Sequence, residues 1–197
     1  MWILIVTAGS RGDVAPFTGL GQRLRQAGHQ VAVAAHETFA GLVRGCRLEY
    51  RPLPGDPREL VRARTAAGSD EEAWPDTARF LELLGESIVT AAGQGVDIVL
   101  TALGPAPLSR LAAGALGVPS LGTYLAPAVP TGQFALPGLP QPGAADPAAG
   151  RAQECLGEPG YQERAASLAR RIADEDGAAA VLARIERLTA RWRLTAR

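Results

Sequence analysis

The sequence predicts an α/β fold: a Rossmann-like, doubly wound parallel sheet with helices on both faces. Three observations carry that expectation. Apolar runs alternate with stretches of helical spacing through residues 1–125. The first run, Trp2-Ile3-Leu4-Ile5-Val6, is apolar at every position rather than at alternate ones, as a strand covered on both faces requires. The loop TAGSRGD (7–13) then joins this run to a helical pattern, and in open α/β sheets such a loop borders the ligand crevice.

Each element follows in order. Phe17, Leu20, Leu24 and Ala27 recur on one helical face, with Pro16 suited to the first turn and Gly28 to a left-handed cap. QVAVAA (30–35) is the second strand, completing a crossover unit that is right-handed by rule. A helix at 37–44 and a strand at 47–53 come next, then helical segments at 57–67 and 76–93 separated by the loop GSDEEAWP. VDIVLT (96–101) reads as a strand, PLSRLAAGAL (107–116) as a helix and VPSLGTYL (118–125) as a further strand. Residues 126–150 are rich in Pro, Gly and Ala without periodicity, which marks a loop or linker. Two helices, 161–176 and 178–194, break at Asp176-Gly177, and Val181, Ile185, Leu188 and Trp192 form one apolar stripe on the second.

Composition narrows the function classes. Twenty basic and twenty acidic residues cancel, so no excess positive field exists to hold nucleic acid or an anionic membrane surface. Every basic residue is Arg, which excludes Schiff-base chemistry on a lysine and the lysine of a phosphate-binding P-loop. Cys46 and Cys155 form neither a CxxC pair nor a disulfide framework, and they read as structural thiols of a cytoplasmic protein. The N-terminal apolar run is too short to span a bilayer, and six prolines interrupt the charge-free stretch 111–145, so no stable membrane insertion is expected. Neither a cofactor nor a metal ion is expected.

Within the TAGSRGD loop, Gly9 and Gly12 can adopt backbone angles closed to other residues and admit a ligand close to the main chain, while Ser10 adds a hydroxyl. Asp13 has two readings. It is a helix cap that accepts free backbone N–H groups, or a general base at the crevice rim that takes the proton of an incoming hydroxyl. The glycines do not form the GxGxxG of a dinucleotide site, although Glu37 stands where a ribose-binding acid would belong. His29, in the AGH turn, reads as structural.

Taken together, GSRGDVAPFTGLGQRLRQAGHQVAVAAHETFAGLV (9–43) resembles the opening of the GT-B glycosyltransferases that modify macrolides, glycopeptide aglycones and sterols. PLPGDPREL (52–60), GVPSLGTYLAPAVPT (117–131) and Phe134 resemble later parts of the same acceptor-binding domain. The resemblance implies an inverting transfer of a hexose from a nucleoside-diphosphate sugar to a hydroxyl of a lipid, sterol or polyketide-type aglycone. By the same resemblance Asp13 is the base, while Ser10, with Gly9 and Gly12, faces the donor phosphates. His36, Glu37 and Phe134 lie near the acceptor, with His36 equally readable as a hydrogen-bonded structural histidine.

The family's donor half carries a histidine-glycine motif and an acid-glutamine pair, yet no His follows His36 and neither Asp-Gln nor Glu-Gln occurs. ECLGEPGYQERAASLARRIADEDGAAAVLARIERL (154–188) is instead similar to the closing helices of these enzymes. The expected organisation is an acceptor domain at 1–135, a linker at 136–150 and closing helices at 151–197, without a donor domain. Expected partners are a hydroxylated small-molecule acceptor and a donor domain or full-length glycosyltransferase in another chain. A catalytically incomplete helper or relic, which binds acceptor or a full-length enzyme, is the alternative.

Overall fold

The computed structural model describes residues 1–56, 62, 70–125, 160, 163, 166–168, 170–171 and 175–195, with 70–76 and 191–195 described as backbone. Phe134, Cys155, the linker at 136–150, the loop expected at 126–150, the helical segment expected at 57–67 apart from Arg62, and half of the helix expected at 161–176 lie outside the described residues.

The chain runs β1 (Trp2–Val6), α1 (Arg11–Gln26), β2 (Gln30–His36), a 3-10 turn (Glu37–Phe39), α2 (Ala40–Gly45) and β3 (Glu49–Leu53). It continues through α3 (Asp70–Ala92), β4 (Ile98–Thr101), α4 (Ala106–Ala115) and β5 (Ser120–Gly122), and α5 (Gly177–Thr195) is the last helix. The strands form one parallel sheet in the order β3-β2-β1-β4-β5. The doubly wound Rossmann-like fold expected from the sequence is therefore present.

Two helix boundaries differ from expectation. The first helix begins at Arg11, five residues before Pro16, which sits inside α1 instead of in its first turn. Ser10 caps this helix and pairs reciprocally with Asp13, so the first turn closes earlier than the proline signal implies. The expected GSDEEAWP loop is cut short because α3 already begins at Asp70. Its first residues, Asp70-Glu71-Glu72, suit the positive end of a helix dipole.

Strand alternation divides the apolar run of β1 between two cores. Ile3 and Ile5 pack with Val14, Phe17 and Leu24 of α1 and Val43 of α2. Leu4 and Val6 pack on the other face with Leu84 and Ile88 of α3 and Ala112 and Ala113 of α4. Right-handed crossovers explain the division: the chain winds outward through β2 and β3 beneath one layer, then returns to β4 and β5 beneath the other. Gly21 lets α1 lie close, since a Cβ there would come 2.7 Å from Leu48 Cδ1 and 3.5 Å from Val31 Cγ1.

That winding leaves the α1 face over β4 without a helix of its own. Ile185 of α5, fully buried, joins the same cluster as Ile98 and Leu100, with Val181, Leu182 and Leu188 packed alongside. Residues 181–197 accordingly belong to one compact unit with residues 1–126, and residues 127–180 form a second unit. Asp176 caps α5, its Oδ1 accepting the Ala179 N–H at 3.0 Å.

At the opposite edge, β3 carries Pro52 opposite Ala35 of β2. Its neighbour Arg51 is buried, pairs with Glu49 at 2.8 Å, donates to the Ala91 carbonyl at the end of α3, and lies 5.8 Å over the Trp2 ring. This places a permanently charged guanidinium against a helix C-terminus, where cations are favoured.

Candidate functional site

The strand order fixes where a ligand crevice can form. The chain leaves β1 for α1 on one face, and it leaves β4, the neighbour of β1, for α4 on the other. The carboxyl ends of β1 and β4 thus form the topological switch point, the usual ligand position in open α/β sheets. The two loops there lie close together: a Cβ on Gly104 would lie 3.7 Å from the Ala8 carbonyl oxygen.

Within the β1–α1 loop, the Thr7 and Ser10 side chains both bond to Asp13. Asp13 Oδ2 accepts the Ser10 backbone N–H at 2.7 Å and the Ser10 Oγ–H at 2.9 Å. The Asp13 N–H returns to the Ser10 carbonyl at 3.0 Å, and the Thr7 hydroxyl donates to the Asp13 carbonyl at 2.7 Å. Asp13 itself is exposed, and among the described residues no donor reaches its Oδ1. Asp13 is therefore a cap through one oxygen and an open carboxylate through the other.

Gly9 makes that packing possible. Its φ of +146° lies in a region that disfavours side chains, and a Cβ would come 2.8 Å from Asp13 Cγ and closer still to Oδ2. Gly9→Ala is expected to displace the carboxylate and destabilise the chain by about 1–3 kcal/mol, read as a lowered midpoint in urea unfolding.

The structure brings Gly9, Ser10, Gly12 and Asp13 together, and it separates the next two candidates. His36 is buried at the end of β2. Its Nδ1–H donates to the Pro54 carbonyl at 2.7 Å, and its ring lies 6.4 Å from that of Phe80 on α3. Because a carbonyl only accepts, this bond fixes the proton of the neutral ring on Nδ1. Glu37 is exposed and accepts the Tyr50 hydroxyl at 2.9 Å, with the Arg44 guanidinium 4.9 Å over the Tyr50 ring. Burial, then the Glu37 carboxylate, pushes the Tyr50 hydroxyl well above its ordinary range.

Sequence reading passes over Thr7, Tyr50 and Phe80. Thr7 follows an apolar run and looks like its continuation.

Burial pushes His36 below its ordinary 6.5, against the opposing pull of the Pro54 and Gly55 backbone and of Asp56. The unfolded chain therefore binds more protons than the folded one as pH falls through 6.5 towards the lowered folded value. Stability is expected to rise with pH across that window and to be lost on acidification. Urea midpoints measured from about pH 7 to 5 should fall less steeply in His36→Gln than in the unsubstituted chain.

Among the described residues, no helix is long and apolar enough to cross a membrane, and no group of three His, Cys, Asp or Glu side chains is placed to hold a metal ion.

Comparison with known proteins agrees with this anatomy. The profile of the glycosyltransferase family 28 N-terminal domain matches residues 3–122. The O-mycaminosyltylonolide 6-deoxyallosyltransferase of Streptomyces fradiae is 36% identical over 149 residues, covering 68% of this chain and 35% of that enzyme. A sterol 3-beta-glucosyltransferase of Arabidopsis thaliana is 48% identical over 59 residues, covering 30% of this chain and 10% of that enzyme. The chain thus matches about a third of the Streptomyces enzyme and a tenth of the plant one. Among solved structures, the calicheamicin glycosyltransferase CalG4 superposes with a TM-score of 0.58 at 19% identity, over 68% of this chain and 34% of that one, a likeness of fold.

Proposed function

The chain belongs to the glycosyltransferase family 28 N-terminal domains, and from that premise we propose that it is the acceptor-binding part of a GT-B enzyme that glycosylates a hydroxyl of a lipid, sterol or polyketide-type aglycone. The observation that carries this reading is the exposed Asp13 at the β1/β4 switch point, with Oδ2 held by Ser10 and Oδ1 open.

The chemistry follows from that arrangement. The acceptor O–H gives its proton to Asp13 as the oxygen attacks the anomeric carbon of a nucleoside-diphosphate sugar. The bond to the diphosphate breaks, the diphosphate leaves with the electron pair, and the configuration inverts. General base catalysis of this kind contributes about 10²–10⁴-fold. The departing charge needs preorganised donors as well. In this reading the α1 N-terminus, with Ser10, Gly9 and Gly12, faces the phosphates, and His36, Glu37 and Phe134 flank the acceptor. The domain boundaries of the reading are 1–135 for acceptor binding, 136–150 for the linker and 151–197 for the closing helices.

Calorimetric titration of the chain with sterol and polyketide acceptors, and separately with UDP- and dTDP-sugars, tests the assignment. Saturable heat with a hydroxylated acceptor is the expected result. Binding of sugar nucleotide alone, with every acceptor silent, would overturn it.

A further inference from the structure

We infer that Thr7 is a positioning residue for Asp13, acting through a hydroxyl that braces the first turn of α1 against the end of β1; the inference rests on Asp13 being the base proposed above. Thr7 is fully buried, and its own place is fixed by the sheet, since its N–H donates to the Ala34 carbonyl of β2 at 3.0 Å. From that fixed point its Oγ1–H reaches across the loop to the Asp13 carbonyl at 2.7 Å. One side chain therefore ties the strand to the backbone of the residue whose carboxylate faces the crevice.

The brace matters because the turn it holds is short of an internal bond. Pro16 has no N–H, so the helix ladder cannot supply Gly12 with its usual donor four residues on. The turn that carries Asp13 consequently depends more on bonds from outside the ladder. Ser10 fixes the carboxylate at Oδ2 but moves with the same turn, so it cannot set the orientation of that turn relative to the sheet. The Thr7 hydroxyl can, because Thr7 follows β1 directly and is anchored to β2 through its N–H. A displacement of about 1 Å at a reacting group costs on the order of 10²-fold in rate.

The test compares Thr7→Val, which keeps shape and removes the donor, with Thr7→Ser, which keeps the donor. The primary readout is the NMR shift of the Ser10 amide proton, which reports its bond to the Asp13 carboxylate and is calibrated by its change in Asp13→Ala, where that bond is lost. Thr7→Val should move this resonance at least halfway towards its Asp13→Ala position, and Thr7→Ser should restore it. Methyl resonances of Ile98 and Leu100, on the same core, should stay in place in both. In transfer assays with a donor domain supplied by a second chain, Thr7→Val should lower kcat by about 10–100-fold with the acceptor KM unchanged, and Thr7→Ser should recover it to about threefold.

A Ser10 amide that ignores Thr7→Val, or a Thr7→Ser variant as impaired as Thr7→Val, overturns the inference. If Thr7→Val does not fold, the unsubstituted chain decides. A slowly exchanging Thr7 hydroxyl proton with a nuclear Overhauser contact to the Val14 amide supports the brace, and its absence rejects it. Full transfer by Asp13→Asn would defeat the base assignment, whereas the Ser10 amide reports the Thr7 brace in either case.

Discussion

Asp13→Asn is expected to lower sugar transfer by about 10²–10⁴-fold while leaving the fold intact. The amide oxygen of Asn can still accept the Ser10 N–H, so the capping interaction survives in neutral form. What is lost is the charge at a helix N-terminus, worth about 0.3–1 kcal/mol, and all capacity to take a proton near neutral pH. Asp13→Ala is the complementary control, because it removes base and cap together and should cost about 0.5–2 kcal/mol of stability. Initial rates with a nucleoside-diphosphate sugar, a bound acceptor and a donor domain supplied by a second chain, set beside thermal unfolding of both variants, separate the two roles. Unimpaired transfer by Asp13→Asn would leave Asp13 a cap and nothing more.

The second large effect belongs to the last helix. Ile185→Ala is expected to destabilise the chain by about 2–5 kcal/mol, the range for removing a buried branched side chain without collapse of the cavity. Ile185 is fully buried against the face that α1 and α2 leave open over β4, and the residues beside it, Val181, Leu182 and Leu188, are only partly covered. A domain of this kind has about 5–15 kcal/mol in total, so the loss should be plain in the urea midpoint. A change below about 0.5 kcal/mol would mean that α5 does not seal this face in solution.

The elements were legible wherever hydrophobic period and length agreed. β1, β2 and the Val181, Ile185 and Leu188 part of the α5 stripe are examples, although the continuous apolar run of β1 could not say which side chains belong to which face. Alternation along the strand decides that, sending Ile3 and Leu4 to different cores. Helix starts were less legible, because proline signals were weighed above acidic ones. Pro16 and Pro75 both lie inside helices, and the first turn of α1 is set by the Ser10–Asp13 pair upstream of its proline.

The site shows the same limit. A glycine-rich loop after the first strand was enough to single out Asp13, since position in an α/β sheet is itself informative. His36 and Glu37, adjacent in sequence, meet different partners. His36 ends a strand on the α3 side beside Phe80, whereas Glu37 opens the 3-10 turn and reaches Tyr50. The Thr7 bond was not readable, because it depends on where the loop doubles back.

Pro52 on the outermost strand has a consequence for how this molecule behaves among its copies. A free sheet margin invites another polypeptide to line up along it, and such recruitment begins many aggregates. Along β3 that invitation is withdrawn at one rung, because proline offers no amide to a newcomer. With Arg44 and Glu49 exposed nearby, growth of the sheet outward from β3 is disfavoured.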